Sequence, residues 1–127
     1  MPAQLEHVNY TVSDAERTAA WLCDLFGWHV RWKGPSLNGG VSIHVGTDDR
    51  YVALYTHGRP RPSKEDNYAT TGGLNHIAVT VDDLDATEAA VKDAGFIPTS
   101  HADYEPGRRF YFRDHDGIEY EVVSYAS

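Results

Sequence analysis

An internal repeat constrains this chain more than any other feature. The ten residues "LEHVNYTVSD" at 5–14 return as "LNHIAVTVDD" at 74–83, with Leu, His, Thr, Val and the closing Asp in the same places. His7 and His76 set the offset at 69 residues, and the match runs on through Thr18 and Thr87, Ala20 and Ala89, and Asp24 and Asp93. One gap later Gly27 aligns with Gly95 and Trp28 with Phe96. Self-similarity of this length dictates architecture, because each copy must fold as the same supersecondary unit. The chain is therefore expected to be two copies of one module.

Each copy reads β-α-β-β-β. "LEHVNYTVS" alternates and is rich in β-branched and aromatic residues, which predicts a strand. Asp14 is placed to cap a helix through "AERTAAWLCDLF", with Glu16 in its first turn and Gly27 to stop it. "WHVRWKG", "VSIHVG" and "YVALYT" then predict three short strands, separated by "PSLNGG" and "TDDR", both of turn composition. The second copy predicts a strand at 74–82, a helix at 84–94 closed by Gly95, and strands near 96–101, 108–113 and 118–125. The expected fold is α+β: two tandem βαβββ modules, 4–57 and 74–125, forming a curved eight-stranded sheet in a single domain spanning 1–127. A linker at 58–73, rich in Pro, Gly and charge, is expected to join them or to loop over the site.

Composition narrows the partners. A chain that is 41% hydrophobic and 12% aromatic can bury a core, so disorder is not expected. Its 11 basic and 19 acidic residues give a net charge of −8, which repels phosphate backbones and anionic lipid surfaces. No nucleic-acid or membrane partner is expected, and "RRFYFR" is assigned to a solvated strand edge at a pocket mouth rather than to base stacking. The start "MPAQLEHVNY" has neither a basic nor an apolar targeting segment, and no apolar run approaches a membrane span, so a cytoplasmic protein is expected. The single cysteine, Cys23, excludes an internal disulfide. Lying between Leu22 and Leu25 in a helical pattern, it is expected to pack rather than react.

Strand parity shows which residues can meet. His7, Asn9 and Thr11 share one face of the first strand, and Val8, Tyr10 and Val12 share the other, which must pack on the helix. By the repeat, His76 takes the place of His7, with Ala78 and Thr80 beside it. The last strand adds Glu121 after a tight turn at Asp116 and Gly117. A carboxylate in so buried an element is costly unless it is paired or binds a cation. Glu119 has the same parity, and the pattern does not decide between the two. Two imidazoles and one carboxylate suit a first-row divalent ion with open positions.

"LEHVNYTVSD", "GGLNHIAVTVDD" and "FYFRDHDGIEYEVV" together resemble the vicinal oxygen chelate superfamily, which includes glyoxalase I, fosfomycin-resistance thiol transferases, extradiol dioxygenases and metal-free bleomycin-binding proteins. The resemblance covers nearly the whole chain, although His115 stands where the closing pattern usually has Pro. It implies that His7, His76 and Glu121 bind one divalent metal ion, Fe, Mn, Zn, Ni or Co, which chelates two adjacent oxygens of a small substrate. The ion would serve as a Lewis acid and, if it is iron(II), as the partner for O₂.

Two departures bear on the reaction. Glyoxalase I carries a further ligand Glu in the last strand of its first module, which also moves protons. The repeat places that position at 53, which is Ala. General-base catalysis is typically worth about 10²–10⁴-fold, so glyoxalase I activity is disfavoured. Thr11 also stands where glutathione-dependent members carry an arginine.

A dioxygenase-like enzyme is the expectation, on "YFRDHDGIEYE". The alternatives are a metal-free binding protein of the bleomycin-resistance type and a fosfomycin-type thiol transferase. Tyr111, His57 and His101 are candidate catalytic groups, and Asn9, Arg108 and Trp32 candidate substrate contacts. Trp28 is expected on the Trp32 face. His44 is expected to face away from the site, because a 68-residue offset pairs it with Phe112. A homodimer is expected, since exposed edge strands favour pairing with a second chain.

Overall fold

The computed structural model describes residues 1–62, 66–104 and 107–125. It consists of two compact units, Met1–Ser63 and Lys64–Ser127. The first contains β1 (His7–Thr11), α1 (Ala15–Phe26), β2 (His29–Pro35), a single 3₁₀ turn at Leu37–Gly39, β3 (Val41–Gly46) and β4 (Tyr51–Thr56). The second contains β5 (Ile77–Thr80), α2 (Leu84–Asp93), β6 (Thr99–Tyr104), β7 (Gly107–Arg113) and β8 (Glu119–Ser124). The α+β class is as expected, with the strands divided into two four-stranded sheets ordered β1-β4-β3-β2 and β5-β8-β7-β6. In each sheet the first strand runs parallel to the last, and the remaining pairs are antiparallel.

The repeated aspartates start both helices. Asp14 accepts a hydrogen bond from the Arg17 backbone N–H at 3.2 Å, and Asp83 one from Ala86 at 3.0 Å, so each satisfies a donor that the first helical turn leaves open. Gly27 ends α1 in the left-handed region at φ 71°, where a side chain would be strained. In the second unit Ala94 caps α2, and the left-handed turn falls at Gly95. Phe96 belongs to that closure, its N–H donating to the Val91 carbonyl at 3.1 Å and its ring stacking on Phe112. For this reason β6 begins at Thr99 rather than near residue 96.

Parity then sorts each sheet into two faces. In the first unit Tyr10, Val12, Ile43, Val45, Val52 and Leu54 are buried with Ala15, Thr18, Ala19 and Leu22 of α1. In the second, Val79, Phe110, Phe112, Tyr120 and Val122 are buried with Leu84 and Val91 of α2. Each fully buried large apolar side chain stabilises the fold by roughly 1.5–3 kcal/mol. The opposite faces carry the polar residues: His7, His44, Tyr51 and Tyr55 in one sheet, and Arg109, Tyr111, Glu119 and Glu121 in the other. Among the described residues no helix is long and apolar enough to cross a membrane.

The repeat also exposes a packing asymmetry. Thr87 Oγ1 donates to the Asp83 carbonyl at 2.9 Å, whereas its counterpart Thr18 is fully buried with a hydroxyl that has no hydrogen-bond partner among the described residues. A buried unsatisfied hydroxyl costs about 1–3 kcal/mol, and an apolar group of the same shape does not. Thr18→Val is expected to raise the unfolding free energy by about 1 kcal/mol, seen as a higher urea midpoint with unchanged slope.

Candidate metal centre

The second unit builds a polar cluster around one histidine. β5 runs parallel to β8 with Ala78 opposite Glu121, so His76, two residues before Ala78, reaches the two carboxylates on that face of β8. His76 Nε2 lies 3.1 Å from Glu121 Oε1, and Nδ1 lies 3.8 Å from Glu119 Oε1. Both Glu119 and Glu121 therefore face His76, each carboxylate attending a different ring nitrogen. On β7, Tyr111 sits opposite Glu121 and Arg109 is two residues away on the same face. Arg109 Nη1 donates to Glu121 Oε2 at 2.8 Å, and both side chains are nearly buried, 13% and 8% exposed. The Tyr111 ring stands edge-on to His76, with centroids 5.7 Å apart.

A loop residue completes the cluster. The Tyr68 hydroxyl donates a short hydrogen bond to Glu119 and lies 3.0 Å from His76 Nδ1. The hydrogen bond to Glu119, together with burial and the charge of Glu119, pushes the phenol up to about 12, so it keeps its proton. Arg113 Nη2 approaches Glu119 Oε2 at 3.5 Å from the far side.

This donor set fits a divalent ion. A neutral imidazole nitrogen and a carboxylate oxygen facing each other at 3.1 Å present two lone pairs that need a shared proton or cation between them. Two adjacent ligands of a first-row ion, each bonded at about 2.1 Å, stand about 3 Å apart at right angles. The observed separation of Nε2 and Oε1 matches that spacing.

In the first unit His7 lies on the polar face, its side chain 42% exposed, with Nδ1 2.9 Å from Glu6 Oε1. That hydrogen bond is the main cause holding the Glu6 carboxyl below its usual range. The His7 ring stacks on Tyr51, Tyr51 on His44, and His44 meets Trp32, at centroid distances of 4.8, 4.7 and 5.1 Å. Arg31 lies 4.3 Å over the Tyr51 ring. His44 therefore shares the His7 face, which corrects the expectation that it turns away. The turn between β3 and β4 has four residues and that between β7 and β8 has five, so the repeat offset drops to 67 in β3 and pairs His44 with Tyr111. Burial pushes the His44 imidazole down, with His7 adding to the effect.

Ala53 occupies the place forecast for it. It pairs with Asn9 in the first sheet as Glu121 pairs with Ala78 in the second. The strand β4, "YVALYT", carries no carboxylate at all.

Other candidates lie elsewhere. His101 is on the helix side of its sheet, where Nε2 meets Glu88 of α2 at 2.9 Å and the ring lies beside buried Phe110. A register shift between Thr99 and Ala102, with Ser100 at φ 54°, turns it there. Arg108 also points to that side and donates to Asp85 of α2 at 3.0 Å, so it is Arg109, not Arg108, that shares the polar face with Glu121. His57 follows β4 and accepts from the Arg59 N–H at 2.9 Å, closing its own turn. Asn9 is exposed on the His7 face, opposite Ala53. Trp28 packs on Phe26 at the end of α1, whereas Trp32 is 49% exposed over His44. A register shift between Val30 and Trp32 separates the two. Burial pushes the Cys23 thiol up, as suits a packing residue.

Asp114, His115 and Asp116 form a further group with ligand-type atoms within 4.8 Å of one another. Asp114 Oδ1 accepts from the N–H groups of Asp116 and Ile118 at 2.9 and 3.0 Å, which holds the β7–β8 turn in shape. Burial pushes the Asp114 carboxyl up against those two hydrogen bonds.

A model of the family described as "Glyoxalase/Bleomycin resistance protein/Dioxygenase superfamily" matches residues 4–122. An uncharacterised protein of Escherichia coli K12, YaeR, is 27% identical, with 94% of each chain covered. The fold is similar to a glyoxylase/bleomycin resistance protein/dioxygenase domain from Frankia, at TM-score 0.82 and 23% identity, covering 98% of this chain and 93% of that one. It is also similar to the fosfomycin resistance protein FosX from Listeria monocytogenes, solved with Mn(II) and sulfate, at TM-score 0.75 and 20% identity, with the same coverage.

Proposed function

The chain belongs to the glyoxalase/bleomycin resistance protein/dioxygenase superfamily, and on that premise we propose that it binds one divalent first-row ion through His7, His76 and Glu121. It acts on a small molecule with two adjacent oxygens, in the manner of a dioxygenase rather than of glyoxalase I. The carrying observation is the 3.1 Å approach of His76 Nε2 to Glu121 Oε1, a spacing suited to two ligands of one ion. The similar fold of FosX, solved with Mn(II), supports a divalent ion for such an architecture.

When bound, the ion supplies a Lewis acid to the two substrate oxygens. The chain's own residues define the rest. Arg109 engages Glu121 Oε2, so the carboxylate has Oε1 left to offer. Tyr111, whose ring stands edge-on to His76, is the candidate for holding a proton at the substrate. Ala53 leaves β4 without a base to move a proton between two carbons, which weighs against an isomerase.

Protein purified without an affinity tag is expected to carry about one ion per site by elemental analysis. Loaded anaerobically with iron(II), it should consume O₂ with a catechol, and the zinc(II) form should not. Isomerisation of the methylglyoxal–glutathione hemithioacetal well above background would overturn the argument from Ala53. The ring row His7, Tyr51, His44 and Trp32, ending in a half-exposed indole, favours a second reading, a binding protein that stacks a planar molecule. Protein that carries no metal as purified and takes up none when divalent ions are added selects it.

A further inference from the structure

We propose that Asp114, His115 and Asp116 form a second cation site, in the β7–β8 turn, that takes a first-row divalent ion such as zinc(II) through two carboxylates and an imidazole. A ligand-type atom of each residue lies within 4.8 Å of those of the other two. Proximity alone would describe many acidic turns, but two atoms of this one are buried with nothing to bond. Asp114 is 7% exposed, and its Oδ2 has no hydrogen-bond partner among the described residues. The same holds for Nε2 of His115, whose side chain is 13% exposed. A buried polar atom left unpaired is costly, and a carboxylate oxygen most of all unless a cation reaches it.

Holding the turn does not account for these atoms. Asp114 Oδ1 does that by accepting from the Asp116 and Ile118 N–H groups. The first repeat closes the corresponding turn with no carboxylate. The Thr47 N–H donates to the Arg50 carbonyl at 2.8 Å as Asp114 does to Ile118 at 3.0 Å, and the Thr47 hydroxyl accepts from the Arg50 N–H at 3.3 Å. The next residue there, Asp48, has its side chain 94% exposed. The second repeat thus buries a carboxylate that the turn does not require and sets a histidine beside it. Arg113, the adjacent cation, is directed to the Gly117 carbonyl and to Glu119, at 2.9 and 3.5 Å. A water in the turn would meet the hydrogen bonds but not the like charge of two carboxylates.

The donors select the ion. Calcium and magnesium take oxygen ligands, whereas one imidazole with two carboxylates suits zinc and its neighbours and balances their charge. Ligands of a tetrahedral ion bonded at about 2.1 Å stand about 3.4 Å apart, and His115 Nε2 lies 3.8 Å from Asp116 Oδ2, so slight side-chain rotation closes the set. The Asp116 side chain, 17% exposed, leaves the group open to solvent. Three donors from consecutive residues, one of which also holds the turn, make a weaker site than His7, His76 and Glu121. Its ion should pass to a weak chelator.

The test uses metal-free Glu121→Gln protein, so its outcome does not depend on the function proposed above. Zinc(II) is added without chelator and followed by calorimetry, thermal melting and long-range ¹H–¹⁵N NMR of the histidine side chains. One ion per chain should bind, the His115 resonances should shift, and the melting temperature should rise with zinc concentration. Asp114 is left intact because Oδ1 holds the turn. His115→Gln and Asp116→Asn, each added to that background, should weaken zinc by more than the roughly 10-fold that even an outer partner is worth. No uptake with His115 in place, equal uptake in both added variants, or zinc that moves His76 rather than His115 overturns the site. The metal-free reading of the function is judged on His115→Gln protein, which lacks the turn ion.

Discussion

Glu121→Gln is expected to abolish stoichiometric metal binding while leaving the second unit folded. The carboxylate supplies the one anionic donor of the proposed set, and a neutral amide is a poor ligand for a first-row ion. The loss should exceed 100-fold in affinity, larger than the roughly 10–100-fold expected for an outer partner such as Tyr68. Stability should respond differently to the choice of substitution. Glutamine keeps an oxygen for Arg109 Nη1, which now sits 2.8 Å from Oε2. Alanine removes the carboxylate that faces a guanidinium only 13% exposed, and breaking a buried pair in this way costs roughly 3–5 kcal/mol. Elemental analysis after dialysis against a weak chelator, beside a thermal melt, reads both effects. Metal retained in Glu121→Gln would remove Glu121 from the site and leave the His76–Glu121 contact a plain ion pair.

Much of this arrangement was legible because a repeat supplies two measurements of one unit. The shared "H-x-x-x-T-V" and the capping Asp14 and Asp83 located both first strands and both helices, and parity placed His7 and His76 on polar faces. The errors arose where the copies differ by one residue. A turn of four residues in one copy and five in the other shifts the offset across β3, and that one position reversed the face assigned to His44. The bulge around Ser100 is likewise invisible to parity, and it turns the catalytic candidate His101 to the helix side. Arg109 was within reach of the sequence, since it lies two residues from Tyr111 and must share its face, whereas Arg108 must not. Tyr68 was not, because its contact with His76 depends on the path of a loop, which no periodicity encodes.

The contribution of His7 separates the proposed three-ligand site from a site confined to His76 and Glu121. His7 projects from a strand whose opposite face carries the buried Tyr10, so His7→Ala should spare the fold of the first unit. It should nevertheless remove tight metal binding, because two protein ligands rarely hold a first-row ion against a chelator. The proposed homodimer adds a sharper test. Each sheet has two outer strands, β1 and β2 in one and β5 and β6 in the other, and the proposed pairing of such edges with a second chain would supply His7 from one copy and His76 with Glu121 from the other. His7→Ala and Glu121→Gln subunits are each expected to be devoid of metal. After subunit exchange, a mixed dimer with shared sites contains one position at which all three native ligands meet, and it should recover about half of the wild-type metal. Exchange verified by mass spectrometry with no recovery would assign the three ligands to a single chain, and a monomer by sedimentation at micromolar concentration would exclude sharing altogether. Metal held at full strength by His7→Ala alone would confine the centre to the second repeat, leaving the ring row of the first repeat to the substrate.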